Sequence, residues 1–405
     1  MWAPNFLCAV CAALFFTTAA FSQPTSAPAP IPAPAAVPRP QVQPSGPTPI
    51  PAVPTLPIKS YITIDFDTGS TLAEQAADLR VEPASITKIM AAYVVFHELR
   101  AGRLKLEDQV SISEKAWRME GSRMFAKVGD KIPAEQLILG MIVQSGNDST
   151  IALAEHIAGS EEAFVALMNN FSAKIGLAGT SFSNAAGLPD PNHYSTARDI
   201  ATLARTIISE FPDYYRWYAV REYTWNNIRQ YNRNQLLARD ASVDGMKTGH
   251  TEAAGYCLVS SAKRGDMRLI AVVMGSLSES ARTAQSQTIL NYGFRFFETH
   301  ELYKAGAALS QPVLWKGELD TLAVGLAEPL RLVIPRGHYE RLNASMELIS
   351  PIVAPIAKGA TLGKVRVRLG KDVLAERNLI ALEAGAEGGF FANLGDSLSL
   401  WWRSE

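Results

Sequence analysis

Ser85-Ile-Thr-Lys88 opens a run whose apolar residues recur as in a helix, from Ser85 to about Arg100, with a stop near Gly102. A serine and a lysine three residues apart share one helix face, one above the other. A serine hydroxyl is a poor nucleophile without a base. A lysine serves as that base only when burial or a neighbouring cation lowers its pKa. The run is apolar on most sides, which supplies burial, and Lys247 would supply the neighbouring charge. At a helix start, backbone N–H groups and the dipole also favour a developing oxyanion at Ser85. One such pair arises by chance in a chain of this length, so its meaning depends on the rest of the chain.

Two further motifs stand downstream, in order. Ser145-Gly-Asn147 falls between two helix patterns, about 133–144 and 148–158. A hydroxyl there can relay a proton to a leaving amine, and Asn147 can bridge to the lysine or hold a substrate amide. Taken alone it reads as an ordinary loop with a cap. Lys247-Thr-Gly249 stands at the head of a strand pattern. Gly249 would admit a substrate backbone edge-on, Lys247 and Thr248 would bind a terminal carboxylate, and the N–H groups of Ser85 and His250 would form an oxyanion hole. Alone, this is a turn before a strand. Three such motifs in this order, each in a suitable setting, make coincidence a poor account.

Outward from these motifs the chain changes texture twice. Tyr61–Phe66 alternates like a strand and Asp67-Thr-Gly69 reads as a turn. Helix patterns fill the middle, including about 160–175, with Ser160 as N-cap, and about 196–209. Strand patterns then cover 255–262 and 267–274 around an Arg264-Gly265-Asp266 turn, and a helix runs from about Glu279 to Phe297. The fold class is α+β: a helical part on an antiparallel sheet, with active groups gathered between the two. From Glu301 helical periodicity disappears. Val313-Leu-Trp, 330–334 and 364–369 are short strands of a small all-β domain.

The ends differ from this body. Residues 1–22 lack Lys, Arg, Asp and Glu, are almost wholly apolar from Leu7 to Ala20, and read as a secretory signal, although the n-region has only the terminal amine for charge. Residues 23–57 are proline-rich and are expected to form a disordered linker. The catalytic domain is expected over 58–298, the all-β domain over 299–385, and a membrane-association segment over 386–405. In that last segment Phe390, Phe391, Leu394, Leu398, Trp401 and Trp402 recur at helical spacing, as in an amphipathic interfacial helix. Asp396, Arg403 and Glu405 give it no basic face, so binding would be mostly apolar; packing against the β domain is the competing account.

A net charge of −1 argues against nucleic acid as a main partner. Cys8 and Cys11 fall within the signal, which leaves Cys257 alone in a strand-like run, as a small buried hydrophobe and without a disulfide. The six histidines are scattered and no His or Cys cluster has metal-ligand spacing, so no metal is expected; no other cofactor is expected either.

Across nearly all of 58–383 the chain resembles the two-domain, membrane-anchored D-alanyl-D-alanine carboxypeptidases, a group of low-molecular-mass penicillin-binding proteins. The resemblance rests on Pro83-Ala-Ser-Ile-Thr-Lys88, Gln144-Ser-Gly-Asn-Asp148, Tyr194-Ser-Thr-Ala-Arg-Asp199, Ile228-Arg-Gln-Tyr-Asn-Arg-Asn234, Val243-Asp-Gly-Met-Lys-Thr-Gly-His-Thr251 and Tyr292-Gly-Phe-Arg-Phe-Phe297. It implies a penicillin-binding transpeptidase-like domain and an exported enzyme at the outer face of the inner membrane. That enzyme would release the terminal D-alanine of peptidoglycan stem pentapeptides and be acylated by β-lactams. It also implies roles: Ser85 acylated, Lys88 the base, Ser145 the proton relay, Lys247 and Thr248 on the substrate carboxylate, Arg233 and Arg282 adding positive potential. His250 would be positional. Three stretches depart from the family: Gly275-Ser-Leu-Ser-Glu-Ser-Ala281 is less basic, Pro189 and Pro191 flank Asp190, and 117–127 is shorter. A β-lactamase would need a deacylating glutamate, and the expected interval holds no Glu-x-x-Leu-Asn. A D,D-endopeptidase, or a wall-binding scaffold with incidental catalysis, stays open on the residues alone.

Overall fold

The computed structural model describes residues 49–389. The expected signal (1–22) and nearly all of the C-terminal segment (386–405) lie outside the described residues. No helix among the described residues is long and apolar enough to cross a membrane.

An antiparallel sheet carries the fold. Its strands are β1 (Ser60–Asp65), β2 (Thr71–Gln75), β3 (Val243–Thr251), β4 (Gly255–Arg264) and β5 (Met267–Ser276), in the order β2-β1-β5-β4-β3. The central strands alternate between two cores, as a two-residue period demands. Ile62, Ile64, Cys257, Val259, Ile270 and Val272 face the larger core, whereas Tyr61, Leu258, Leu269, Ala271 and Val273 face the smaller one. Cys257 is fully buried, as its strand-like run predicts, and burial pushes its thiol up to about 11.

Helices cover both faces. The larger core takes α1 (Lys88–Arg100), α2 (Asn147–Ala158), α3 (Glu161–Lys174) and α4 (Ala197–Glu210), and the smaller takes α5 (Glu279–Phe296). In α4, Ala197, Ile200, Ala201, Leu203, Ala204, Ile207 and Ile208 are buried, the stripe of an amphipathic helix. Side-chain oxygens of Ser160, Thr196 and Ser278 accept from Ala163, Asp199 and Ala281 N–H and so start α3, α4 and α5. Helix α1 is buried almost all round, so its sequence is apolar on most sides.

The helix expected from Ser85 begins instead as a single 3-10 turn, Ala84–Thr87, and becomes α-helical at Lys88. Lys247-Thr-Gly249, expected at a strand head, sits inside β3, an edge strand of the sheet. The proline-rich stretch was expected to be disordered to residue 57. Its last residues are held instead: Pro51 O accepts from Tyr292 Oη at 3.0 Å, Pro54 O from Tyr61 Oη at 2.5 Å, and Leu56 N donates to Gln75 Oε1 at 3.0 Å. Proline leaves its carbonyl free, and two tyrosines and a glutamine use these carbonyls and N–H groups as anchors.

The all-β part follows α5 directly. β6 (Phe297–Tyr303) pairs antiparallel with β7 (Leu330–Pro335). β8 (Leu342–Leu348), β9 (Thr361–Leu369) and β10 (Asp372–Ala381) form a sheet with the short strands Val324–Gly325 and Ala308–Ser310. A separate core holds them, including Leu322, Val324, Ile334, Val365, Val367 and Leu379. Thr299 Oγ1 donates to the buried Asp65 at 2.7 Å and Arg331 pairs with Asp67 at 2.8 Å, tying this part to the catalytic sheet.

Candidate active site

Edge strand β3, the Ser85 turn, the Ser145 loop and the loops at 120–122 and 186–188 wall a cleft of about 590 Å³. Ser85, Ser145, Asn147, Thr248, Gly249, His250, Arg233 and Arg282 all line it. Of the ten residues singled out in the sequence, only Lys88 and Lys247 lie behind this surface, 1% and 2% exposed. A cavity of about 630 Å³ lies elsewhere, where Arg264 and Arg295 meet Glu298 and Arg336. Arg336 and Arg264 are ion-paired there, to Glu298 and Asp240, and its lining holds neither a serine nor a lysine.

Lys88 Nζ is the hub. It donates to Ser85 Oγ at 2.9 Å, Asn147 Oδ1 at 2.7 Å and Ala186 O at 2.6 Å. The last two are acceptors only. They take the two N–H bonds of a neutral amine and leave its lone pair for the Ser85 hydroxyl. Burial, and then the Arg233 guanidinium, bring the Lys88 pKa down to about 7, with Asp148 opposing. Arg233 is thus a cation that depresses Lys88, and Lys247, expected in that part, is a charged neighbour of Lys88 as well. Lys247 is itself held well below the ordinary lysine value, by burial first and then by Lys88, Arg233 and Arg282.

Backbone conformation aims the two serines. Ala84, beside Ser85, has φ 47°, and Ser145 has φ 66°, both in the left-handed region that side chains disfavour. Ser145 ends a π turn, Gly140–Gln144, and its buried Oγ has no hydrogen-bond partner. A buried hydroxyl left unpaired is costly, and Ser145 stands on the cleft wall.

Asn147 was expected to bridge to the lysine or to hold substrate. It does the first, while Nδ2 donates to Glu120 O at 2.6 Å, so both ends of its amide are in use. Lys247 Nζ donates to Thr248 O at 2.9 Å, behind the strand, and acts on the cleft through its field. Gly249, expected to admit substrate backbone, meets the Ser85 turn: a Cβ there would lie 2.9 Å from Pro83 O and 3.1 Å from Ile86 N. His250 stacks on Tyr256, ring centroids 4.0 Å apart. Among the described residues, the Arg233 guanidinium has no hydrogen-bond or ion-pair partner, whereas that of Arg282 pairs with Glu279 at 2.7 Å.

Three residues escaped the sequence reading. Asp148 accepts from the N–H groups of Met124, Phe125 and Ala126 at 3.0, 3.0 and 3.2 Å and so holds the loop that forms the cleft wall at 120–122. His193, 2% exposed, lies 2.7 Å from Thr87 Oγ1 through Nε2 and accepts from Ser183 N at 3.0 Å through Nδ1. It fastens the loop that carries Ala186 to the Ser85 turn. Burial lowers its pKa to about 4. Glu279 brings a carboxylate into the cleft. Adjacency to Ser145-Gly-Asn147 was the available signal for Asp148. For His193, 106 residues from Thr87, there was none.

Residues 48–278 match the family described as D-alanyl-D-alanine carboxypeptidase, and residues 297–387 match penicillin-binding protein 5, C-terminal domain. The D-alanyl-D-alanine carboxypeptidase DacC of Escherichia coli (strain K12) is 42% identical over 351 residues, 85% of this chain and 88% of that protein. Penicillin-binding protein 5 from Haemophilus influenzae is similar in structure with a TM-score of 0.79 at 39% identity, covering 84% of this chain and 100% of its own. Penicillin-binding protein D2 from Listeria monocytogenes, solved in an ampicillin-bound form, matches with a TM-score of 0.55 at 26% identity, over 60% of this chain and 100% of its own.

Proposed function

The chain belongs to the D-alanyl-D-alanine carboxypeptidase family, and on that premise we propose that Ser85 is the residue acylated when it removes the terminal D-alanine of a peptidoglycan stem pentapeptide. The observation that carries this is the Lys88 amine, buried, 2.9 Å from Ser85 Oγ and fixed by two acceptors that leave its lone pair toward the hydroxyl.

Ser85 Oγ attacks the penultimate D-alanine carbonyl as its proton passes to Lys88 Nζ. The backbone N–H groups of Ser85 and His250 receive the oxyanion. Ser145 delivers its proton to the departing amine and takes the one held on Lys88 Nζ in its place, so that D-alanine leaves and Lys88 is again a neutral amine. Lys88 then takes a proton from water, whose oxygen attacks the ester carbonyl, and Ser85 regains its hydrogen. Thr248 and Arg233 hold the substrate carboxylate, with Lys247 behind them, Arg282 on the same wall and Gly249 setting the strand against the turn. Asn147 serves through Lys88. A β-lactam would enter by the same attack on its ring carbonyl. No metal or other cofactor has a part in these steps.

The reading extends to the ends of the chain: a cleaved signal over 1–22, a proline-rich linker over 23–57, a catalytic domain to about 298, an all-β domain to about 385 and an interfacial helix beyond. The enzyme would then be exported and lie on the outer face of the inner membrane. Flotation with liposomes of the full chain, and of a chain ending at Gly388, tests the helix; equal flotation removes it.

The experiment for the activity is D-alanine release from a pentapeptide muropeptide by the wild type and by Ser85→Ala, with intact mass after penicillin. Release and a penicillin adduct by the wild type alone are expected. Release by both would displace Ser85, and release by neither, with crosslinked dimers cut instead, would favour an endopeptidase.

A further inference from the structure

The first turn of α5 brings opposite charges into the cleft. Glu279 accepts from Arg282 Nη2 at 2.7 Å. The Arg282 side chain is 5% exposed and that of Glu279 is 47% exposed, on the same wall as Arg233, Thr248, His250 and Tyr256. The rest of the Arg282 guanidinium is poorly served: Nη1 reaches Gly249 O at 3.4 Å, and Nε is buried without a partner. Lys88, Lys247, Arg233 and Arg282 crowd this corner, and Glu279 is the anion that opposes the loss of charge on both arginines. A helix N-terminus welcomes a first-turn glutamate for its dipole alone. Here, however, the carboxylate stands on a buried arginine, on the wall that a substrate carboxylate must approach.

We propose that Glu279 is a specificity-determining residue: its carboxylate already holds the anion position on Arg282. An incoming C-terminal carboxylate therefore meets Arg233 as its cation and is repelled by Glu279. The inference rests on the proposed carboxypeptidase reading. The same repulsion acts on the carboxylate of the released D-alanine, so the site trades tight binding for ready release.

The test compares an acyl-D-alanyl-D-alanine acid with its C-terminal carboxamide, for the wild type, Glu279→Gln and Glu279→Asp. Glutamine keeps an oxygen for Arg282 and the first turn of α5, so the fold is retained. The KM for the acid is expected to fall roughly five-fold in Glu279→Gln, the scale of a partly exposed charge interaction, with the carboxamide changed less than about two-fold. Glu279→Asp keeps the charge and should keep the wild-type preference. Equal shifts for acid and carboxamide, or an acid KM that stays or rises, would overturn the proposal and leave a helix-start residue. If the wild type releases neither D-alanine nor D-alaninamide, the carboxypeptidase reading itself falls and takes this inference with it.

Discussion

Asn147 Oδ1 lies 2.7 Å from Lys88 Nζ, two residues separated by 59 positions in the chain. The contact joins the start of α2 to the start of α1 and decides what the lysine can do. An amide oxygen only accepts, so it claims one N–H of the amine in either protonation state. With Ala186 O claiming another at 2.6 Å, the nitrogen cannot turn away from Ser85. A base held in one orientation needs no rearrangement when it takes a proton.

Lys88→Gln should lower acylation by about 10²–10⁴-fold, the usual worth of a positioned base. Glutamine fits the space but has no basic nitrogen. The rate of penicillin adduct formation, followed by intact mass, measures this.

The pH profile of acylation depends on the same site. The base must be neutral, and its pKa is about 7. Acylation should therefore fall as pH drops below about 7 and level off above it. Arg233 is the cation that helps lower this value, so Arg233→Gln should move the acid limb to higher pH. It should also cost about ten-fold or more in kcat/KM on a free-carboxylate substrate, the loss of a charge-assisted hydrogen bond. A limb that stays in place would assign the depressed pKa to burial alone.

Asp148 makes a structural prediction. Its carboxylate accepts three N–H groups from residues 124–126, so Asp148→Ala orphans the two buried donors, Met124 and Ala126 N–H, at about 1–3 kcal/mol each before relaxation. The wall at 120–122 should loosen, with a lower Tm and a raised KM. A normal KM in a destabilised protein would separate the wall from substrate binding.

Much of this was legible in the sequence because it depended on local pattern. Ser85 and Lys88 are neighbours on one helical turn, the alternation in 61–66 and 255–274 marks strands, and Ser160 announces α3. What escaped depends on contacts between distant segments. Neither the Pro51 and Pro54 anchors nor the closeness of Gly249 to Pro83 leaves a trace in a short window. Which way Lys247 faces is equally hidden from a short window. An edge strand alternates its side chains, and a one-residue difference decides whether a cation lines a cleft or lies behind it.

Gly249→Ala tests one of those contacts. A methyl there would press on Pro83 O at 2.9 Å and Ile86 N at 3.1 Å, both backbone atoms that cannot rotate away. Overpacking of this kind costs about 1–3 kcal/mol. The displacement falls on the turn that carries Ser85, so acylation should drop by more than the change in Tm implies. Acylation that falls only in step with stability would make Gly249 a packing residue without influence on Ser85.

His193 offers the last test, with a sign that can be worked out. The ring accepts from Ser183 N through Nδ1, so the neutral tautomer carries its proton on Nε2 and donates to Thr87 Oγ1. Protonation puts a hydrogen on Nδ1 and breaks the Ser183 bond. The folded pKa is about 4 and the ordinary value is 6.5, so between them the unfolded chain binds a proton that the folded chain refuses. Stability is therefore fully present above 6.5 and falls as pH drops toward 4, by roughly 3 kcal/mol at about 1.4 kcal/mol per unit. His193→Leu should abolish this acid sensitivity while orphaning Thr87 and Ser183, and so lower stability at neutral pH. His193→Gln, whose amide can donate to Thr87 and accept from Ser183, should abolish the acid sensitivity and keep most of the neutral stability and acylation rate. Urea midpoints of the three proteins between pH 4 and 7 decide it: parallel curves would mean that the ring packs but does not latch.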